Sequence, residues 1–380
     1  MTSIQKRVTG GLNVTTLSRD SVREHFITLV PEGDETPEAL FRRVGEVVRR
    51  LNGRIISVEA VGLAPADRKS MGLLIDALSG AGVPGSQARM ASGDPPLAWI
   101  ENARTNNLFG VHIWAVSGTV AEPLSFGDRR TGTSFEDGYC QYCRLVGLLP
   151  TDAALGRPEQ TQTIFHQMQT ILHDAGMAFS DVLRTWFYND HILDWYREFN
   201  VVRTGFFKKH RVFEGLLPAS TGVAGRNALE AALLSGLIAV KSDHEGVKAF
   251  EVPSPLQSSA VRYGSSFSRA VELGLPDLRR LYVSGTASID EQGKTVFLGD
   301  PAAQVRQTME VVQAILRSRE MDWGDVTRAL AYFKRGADAP LFEKYRQENG
   351  VPPFPAVVVE NDICRDELLF EIEVDAVAAK

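Results

Sequence analysis

The sequence predicts an α+β fold in which three related units pack as a trimer within one chain. The main observation is a pattern that occurs twice, 144 residues apart. Its copies are Gln160, Ile171-Leu172, Asp181-Val182, Arg184 and Tyr188, and Gln304, Ile315-Leu316, Asp325-Val326, Arg328 and Tyr332. Such self-similarity indicates tandem copies of one supersecondary unit. The length of 380 residues suits three units of ~125 residues each.

The last third shows the unit most clearly. Arg280 to Ile289 reads as a strand, and the turn Asp290-Glu-Gln-Gly293 leads into a second strand, Lys294 to Leu298. Asp300-Pro301 is an N-cap and first-turn signal, and apolar residues then recur at helical spacing through Val305, Met309, Val312, Ile315 and Leu316. The remaining elements are strand Val326 to Phe333, helix Pro340 to Asn349, and strands Pro355 to Asn361 and Glu367 to Val377. The order is β-β-α-β-α-β with one further closing strand.

The middle and first thirds follow the same order. The middle third is predicted as strand Tyr142 to Leu148, helix Pro158 to His173, strand Val182 to Tyr188, helix Ile192 to Lys209, and strands near Ala219 and from Leu229 to Val240. The first third is predicted as strand Phe26 to Val30, a helix capped by Thr36-Pro37 and stopped by Asn52-Gly53, strand Arg54 to Gly62, helix Asp67 to Ser79 and strand Gly110 to Ser117.

Composition changes suggest where the units join. We expect joints at Glu122 to Asp137, which is rich in Gly and polar residues, and at Ser242 to Ser259, which contains Pro253-Ser-Pro255. The predicted units are residues 1–125, 126–245 and 246–380.

Composition also narrows the function classes. A net charge of −6 without a Lys/Arg cluster argues against nucleic acid as a partner. No apolar run reaches ~18 residues and no signal peptide is recognisable, so we expect no membrane span and a cytoplasmic location. Cys140 and Cys143 have the spacing of a metal or redox pair, but no second Cys or His pair accompanies them. No phosphate loop, dinucleotide glycine fingerprint or nucleophile elbow is present, so we expect chemistry with no cofactor and no metal.

The last unit resembles the Rid (reactive intermediate deaminase, YjgF/YER057c/UK114, L-PSP) superfamily. The resemblance rests on Tyr263-Gly-Ser-Ser-Phe-Ser-Arg-Ala270, Val283-Ser-Gly-Thr286, Gly299-Asp300, Gln304, Gln307-Thr308, Asp325-Val326 and Glu371-Ile-Glu373. It implies a chorismate-mutase-like fold of the bacillus type, in which three units form a trimer with a cleft at each junction. A pseudo-trimer within one chain is the corresponding expectation here.

A narrower resemblance is to the chorismatases, which have two Rid-like parts and act on chorismate. It rests on Arg184-Thr-Trp-Phe-Tyr188, Tyr196-Arg-Glu-Phe-Asn-Val-Val-Arg203, Pro218-Ala-Ser-Thr-Gly222, and Asp362-Ile-Cys-Arg365 with Leu368-Leu-Phe-Glu-Ile-Glu373. The chain departs from that pattern by a short segment between Tyr188 and Tyr196.

Glu371 is the candidate catalytic residue, because it matches the carboxylate with which family members deliver or position a proton or water. Its neighbours Leu368, Leu369, Phe370 and Ile372 are apolar, which favours a desolvated carboxyl with a raised pKa. Glu371 and Glu373 share one face of a strand, so either both face a cleft or one pairs with a cation. The alternative is a salt-bridged edge-strand glutamate.

Candidate substrate-binding residues follow from the same resemblances. Deaminating Rid proteins hold the substrate carboxylate with an arginine fifteen residues before the glutamate, and here that position is Ala356. Arg203 is the first substitute, followed by Arg184 and Arg328 at equivalent repeat positions, since a guanidinium binds carboxylates in bidentate fashion. Further candidates, each with a purely structural alternative, are Tyr263, Phe267, Cys364, Ser284 and Gly285.

Two function classes remain. The first is an enzyme, a hydrolase or lyase that acts on a small carboxylate-bearing molecule and uses Glu371 as its acid. By resemblance it would release pyruvate from an enol ether, with imine or enamine deamination as the alternative. The second is a non-catalytic small-ligand-binding protein. We expect one working site per chain, in a monomeric pseudo-trimer or a homodimer of it, because Ser235-Gly-Leu-Ile stands where the third unit has its Glu-Ile-Glu end.

Overall fold

The fold is built from three mixed six-stranded sheets, one for each third of the chain. It was obtained as a computed structural model that describes residues 2–62, 68–79, 94–102 and 107–380. The first unit contains β1 (Ser3–Thr9), β2 (Leu12–Arg19), β3 (Val22–Leu29), α1 (Pro37–Leu51), β4 (Arg54–Gly62), α2 (Arg68–Ser79), β5 (Leu97–Ile100) and β6 (Leu108–Ser117). The second contains β7 (Ala121–Phe126), β8 (Arg129–Glu136), β9 (Gln141–Leu148), α3 (Arg157–Asp174), β10 (Val182–Asn189), α4 (Ile192–Lys209), β11 (Ala219–Ala224) and β12 (Leu233–Lys241). The third contains β13 (Lys248–Val252), β14 (Ala270–Gly274), β15 (Leu278–Ala287), α5 (Pro301–Ser318), β16 (Val326–Phe333), α6 (Pro340–Glu348), β17 (Ala356–Glu360) and β18 (Phe370–Ala379).

The three sheets have the same topology. Their strand orders are β1-β2-β3-β6-β4-β5, β7-β8-β9-β12-β10-β11 and β13-β14-β15-β18-β16-β17. In each sheet the last two strands of that order are parallel and the other pairs are antiparallel. A helix connects each parallel pair, as a crossover between parallel strands requires.

Helix ends follow the local sequence signals. The Thr36 side chain accepts a hydrogen bond from the Ala39 N–H at the start of α1, and Asp300 does the same for the Ala303 N–H at the start of α5. Asn52 ends α1 in the left-handed conformation that asparagine tolerates.

Among the described residues, the apolar faces of the helices and sheets form four cores. In each unit, helices pack on one face of the sheet and bury a cluster of Leu, Ile, Val and Phe side chains. The opposite faces of the three sheets meet in a fourth cluster around the centre of the chain. The pseudo-trimer predicted from the repeat is therefore the fold of this protein.

Lys294 to Leu298, predicted as a strand, is not one, because only the isolated bridge between Ile289 and Thr295 forms there. Glu122 to Asp137, predicted as a joint, contains most of the β7–β8 hairpin, and the connection between β6 and β7 lies just before it. Ser242 to Ser259 contains the connection between β12 and β13 and also β13 itself. Polar residues in both stretches lie on exposed edge strands, which look like linkers when only composition is considered. The start of the helix predicted from Asp67 lies outside the described residues.

The units meet edge to face around the centre. The edge strand β5 contacts β9 of the second unit, β11 contacts β15 of the third, and β17 contacts β3 of the first. At the β11–β15 junction the Ser220 N–H donates to Ser284 Oγ at 2.8 Å, and Ser284 Oγ donates to the Ser268 carbonyl at 2.6 Å. Ser284 therefore joins the two units.

A register irregularity aligns the three units residue by residue. The pairing of β4 with β6, β10 with β12, and β16 with β18 shifts just before Ser57, Arg184 and Arg328, respectively. Four residues further on, the strand partners are Gly110, Leu234 and Glu371. Among these equivalent positions, a carboxylate therefore stands in the third unit.

No helix in the described part of the chain combines the length and apolar character needed to cross a bilayer.

Candidate active site

A cleft of about 570 Å³ lies at the junction between the second and third units. Its walls come from α4, β11, the segment before β14, β15, the segment before β18, and β18 itself. The lining residues are Tyr196, Arg203, Ser220, Gly222, Tyr263, Ser265, Phe267, Arg269, Gly285, Ala287, Ile289, Cys364, Arg365, Leu368 and Glu371.

Glu371 is the acidic group of this cleft. Its side chain is 4 % exposed, and no described residue forms a hydrogen bond with it. Burial is the main cause that raises the pKa of Glu371 to about 8, and the negative charge of Glu373 adds to it, whereas Arg184 and Arg365 act in the opposite direction. The carboxyl therefore keeps its proton at neutral pH.

Gly285 makes room for this carboxyl. A Cβ atom at position 285 would lie 2.1 Å from Glu371 Oε1. The pairing of β15 with β18 shifts between Val283 and Thr286, so Gly285 stands in a bulge. Bulges commonly re-aim side chains next to active sites. Gly285 N–H donates to Thr221 Oγ1 at 3.0 Å, which leaves this backbone donor satisfied within the protein.

Arg203 on α4 brings a buried guanidinium to the cleft. It is 1 % exposed, its Nη2 donates to Asn200 Oδ1 at 2.6 Å, and its Nη1 contacts Ser220 Oγ at 3.4 Å. Its Nε has no described hydrogen-bond partner, and no described carboxylate forms an ion pair with it. Burial lowers the pKa of Arg203, which is the direction expected for a cation without a counter-ion.

Arg203 thus contacts the edge strand β11. Deaminating Rid proteins, by the resemblance above, carry their carboxylate-binding arginine on this strand of the unit. Ala356 begins the equivalent strand β17, and Ser220 lies in β11. Neither position carries an arginine, and the guanidinium that lies beside the edge strand β11 comes from helix α4.

Two further arginines line the cleft that the sequence did not single out. Arg269 is 4 % exposed, donates from Nε to the Ser258 carbonyl at 3.0 Å and has an Nη2 without a described partner. Arg365 donates to the Gly293 carbonyl at 2.6 Å. Arg269 is two residues after Phe267, the spacing at which residues of a strand share a face, and Arg365 directly follows Cys364. This closeness in sequence to candidate residues could have identified both arginines.

Aromatic and thiol side chains complete the walls. The Arg203 guanidinium carbon lies 5.9 Å from the centre of the Phe267 ring, and that of Arg269 lies 5.4 Å from the Tyr263 ring. Burial, followed by the charge of Glu371, raises the pKa of Cys364 to about 12, so this thiol is protonated at neutral pH. Tyr196, which sequence reasoning did not select, lies two helical turns before Arg203 on the same face of α4.

Arg184 and Arg328 do not line the cleft. Arg184 donates to Glu373 at 2.8 Å, and Arg328 donates to Glu373 at 2.7 Å and to Glu59 at 2.8 Å. Arg144 of the second unit also pairs with Glu59, at 3.0 Å. These buried ion pairs join all three units at the centre. Of the two strand-face carboxylates, Glu373 is thus the one that pairs with cations, while Glu371 faces the cleft.

The cleft therefore combines a protonated carboxyl with several cationic groups. Arg203, Arg269 and Arg365 surround the space, and Arg203 and Arg269 have donors without described acceptors. Such a site is suited to a small anion, with guanidinium groups for its carboxylates and a carboxyl for proton transfer. It brings together six of the predicted site residues: Arg203, Tyr263, Phe267, Gly285, Cys364 and Glu371.

Comparison with known proteins agrees with the fold and with this part of the chain. Residues 258–378 match the family model described as Endoribonuclease L-PSP. A 3-hydroxybenzoate synthase of Streptomyces hygroscopicus is 27 % identical over 271 residues, which cover 65 % of this chain and 76 % of that protein. A chorismatase of the same organism is 23 % identical over 252 residues, covering 60 % of this chain and 70 % of that protein. A crystal structure of a chorismatase superposes with a TM-score of 0.62 at 17 % identity, over 85 % of this chain and 93 % of that one.

The chain belongs to the Rid superfamily, which the L-PSP family model also describes. The tandem arrangement of its units is that of the chorismatase fold. Within the superfamily it is a multi-domain, chorismatase-like member.

Proposed function

We propose that the cleft between the second and third units binds chorismate and releases pyruvate from it, with Glu371 as the general acid. The observation that carries the proposal is the buried Glu371 carboxyl, with a pKa of about 8, in a cleft lined by three arginines. Similarity to proteins named chorismatase and 3-hydroxybenzoate synthase supports this choice of substrate.

Substrate binding would rest on the arginines. Chorismate carries two carboxylates, one on the ring and one on the enolpyruvyl group. Arg203 and Arg269 have unsatisfied donors in the same cleft, and Arg365 adds a third charge. Phe267 and Tyr263 offer apolar faces against which the ring can pack. Desolvated guanidinium–carboxylate pairs would supply both affinity and orientation.

The proposed chemistry begins with proton transfer from Glu371 to the terminal methylene carbon of the enol ether. The resulting oxocarbenium ion is attacked either by water, which gives pyruvate and a dihydroxycyclohexadiene carboxylate, or by a ring hydroxyl, after which elimination gives pyruvate and 3-hydroxybenzoate. Both reactions balance, the first with one water consumed and the second with none. A carboxyl that is protonated at neutral pH is the form that this first step needs.

The test is to incubate the purified protein with chorismate and to measure pyruvate with a lactate dehydrogenase assay, while chromatography identifies the ring product. We expect Glu371-dependent pyruvate release, and we expect Glu371→Gln to lower kcat by ~10²–10⁴-fold, the usual contribution of a general acid. Equal pyruvate release by both proteins would refute the role of Glu371. No release by wild-type protein would refute chorismate as the substrate.

Imine or enamine deamination is the second candidate, and Arg203 is the observation that favours it. The missing arginine at Ala356 argued against this reaction, but Arg203 reaches Ser220 on the edge strand that was expected to carry one. Ammonia release from a 2-iminopropionate generated in situ, measured in parallel, distinguishes the two reactions. A ligand-binding protein without turnover would release neither ammonia nor pyruvate.

A further inference from the structure

The junction between the first and second units also contains an open cleft, whose free space, with the solvent at its mouth, is about 1010 Å³. It lies between β5 and β9, and the pseudo-symmetry of the fold makes it the counterpart of the candidate active site between β11 and β15. Its described lining residues include Met71, Leu97, Trp99, Arg129, Leu229 and Leu234.

The strand registers identify which residue of the second cleft stands at each position of the candidate active cleft. Leu234 pairs with Tyr188 as Glu371 pairs with Tyr332, so a leucine replaces the proposed acid. Gly147 stands at the position of Gly285, but a Cβ atom there would lie 2.2 Å from the Leu97 carbonyl oxygen of the first unit rather than beside a carboxyl. The glycine is therefore kept, with a different neighbour, while the acid is lost.

The edge strand of the second cleft is also apolar. Leu97 pairs with Val58 as Ser220 pairs with Thr185, and two residues later Trp99 takes the place of Gly222. Trp99 is 6 % exposed and lines the cleft. Polar and small residues of the active cleft are thus replaced by a large aromatic ring and a leucine.

The counterpart of the segment that carries Cys364 and Arg365 is also more apolar. Asn361 donates from its backbone to Phe333, and Gly225 donates to Asn189 in the same way. Between these hydrogen bonds and the aligned Leu234 and Glu371, the second unit has one residue fewer than the third. Ala228 and Leu229 lie in the segment that corresponds to that of Cys364 and Arg365. Leu229 is 49 % exposed and lies at the mouth of the cleft.

At one position the second cleft is more polar than the candidate active cleft. Gly132 pairs with Leu145 as Ala270 pairs with Val283, and three residues earlier Arg129 replaces Phe267. No described residue accepts a hydrogen bond from the half-buried Arg129 guanidinium, and its electrostatic partner is the adjacent Asp128. Asp128 also lines the mouth of the cleft but is exposed to water, where its charge is screened.

We propose that this second cleft is a non-catalytic binding site for a small molecule with an apolar, preferably aromatic, body and a single carboxylate. The carboxylate would bind Arg129, and the apolar body would pack against Trp99 and Leu234. The wall also contains the exposed Asp128 and Asn227, whose side-chain amide donates to the Ala231 carbonyl. One arginine without a described acceptor, in a lining that is otherwise mainly apolar, fits one anionic group rather than two. The proposal does not depend on the reaction of the first cleft.

The experiment measures binding of 3-phenylpropionate by isothermal titration calorimetry, with 3-phenyl-1-propanol as the neutral probe. We expect saturable one-to-one binding of the acid by the wild-type protein and binding of the alcohol that is ~10-fold weaker or more, the effect of losing a charge-assisted hydrogen bond. Arg129→Gln should weaken acid binding to a similar extent. Leu229→Glu should do so by repulsion at the mouth of the cleft, and since that leucine is half exposed the fold should tolerate the change.

Arg365→Gln is the matched control, because Arg365 lines the other cleft and lies in the segment that corresponds to that of Leu229. It should leave 3-phenylpropionate binding unchanged. Absence of saturable binding to the wild-type protein would overturn the proposal. So would equal affinity for acid and alcohol, or binding that survives Arg129→Gln and Leu229→Glu but is lost in Arg365→Gln. Circular dichroism of each variant establishes that it is folded.

Discussion

Replacing Glu371 with glutamine should make the protein more stable at alkaline pH. The folded-state pKa of Glu371 is about 8, against an ordinary value of 4.5. The folded protein therefore holds this proton more tightly than the unfolded chain does. Stability supplied by that proton is fully present below pH 4.5 and is lost as the pH rises through about 8.

The size of the effect follows from the shift. At 1.36 kcal/mol per pKa unit, the interval from 4.5 to about 8 corresponds to at most about 5 kcal/mol of unfolding free energy. Glutamine has no proton to lose, so the stability of Glu371→Gln relative to wild type should rise over this interval. With an unfolding entropy of ~2.1 cal/mol/K per residue, the difference in Tm should grow by roughly 6 °C between pH 4.5 and pH 9.

The assay measures thermal unfolding of both proteins by calorimetry at half-unit steps from pH 4.5 to pH 9. Other groups titrate in this range, Asp375 among them with a pKa raised by burial to about 6, but they are present in both proteins and cancel in the difference. Glu310→Gln, which alters an exposed glutamate on α5, is the control and should show a constant difference. A Tm difference for Glu371→Gln that stays constant or shrinks as the pH rises would refute the reasoning.

Other expectations concern activity and the centre of the protein. With Glu371 as general acid, kcat/KM for pyruvate release should be level below pH 8 and fall tenfold per unit above it; a rise with pH in a stopped-flow or coupled assay would indicate a base instead. Gly285→Ala should lower kcat by ~10²-fold because its Cβ would displace the Glu371 carboxyl, and full activity would contradict the proposed contact. Arg203→Lys should raise KM by ~10-fold or more with little change in Tm, whereas an unchanged KM would remove Arg203 from substrate binding. Arg184→Met should destabilise the protein by ~3–5 kcal/mol in urea unfolding, since Glu373 would lose one of its buried cations; a loss below ~1 kcal/mol would mean that Arg328 alone suffices.

The sequence predicted most of the helices and the central strands. Periodicity and capping signals located α4 at its observed bounds and α1 within its Thr36 and Asn52 caps. The strands β1, β2, β5, β7, β8, β13 and β14 were missed. On the edge strands β1, β7 and β13, exposed polar residues resemble those of loops. The buried strands β5 and β14 have only four and five residues, and their partners lie on neighbouring strands that local sequence does not identify.

The candidate site residues were selected where a residue type and a family pattern agreed. The structure brings Glu371, Arg203 and Phe267 together in one cleft, and their roles there stay predictions. Arg184 and Arg328 could not be assigned from their repeat positions, because that repeat places them on strands at the centre, where Glu373 and Glu59 neutralise them. Contacts between units decide which arginine pairs with a buried carboxylate and which has donors without an acceptor. Spacing along the chain does not identify these contacts.

The ion pairs at the centre give the first unit a structural role, although the candidate active site lies between the second and third units. Glu59 of that unit neutralises Arg144 of the second and Arg328 of the third, and both arginines lower its pKa to about 2 even though burial alone would raise it. A gene fragment that encodes only the second and third units would keep every residue of the candidate active cleft. It would also leave those two buried arginines short of a counter-ion, so truncation at a unit boundary should yield an aggregating product rather than a minimal enzyme.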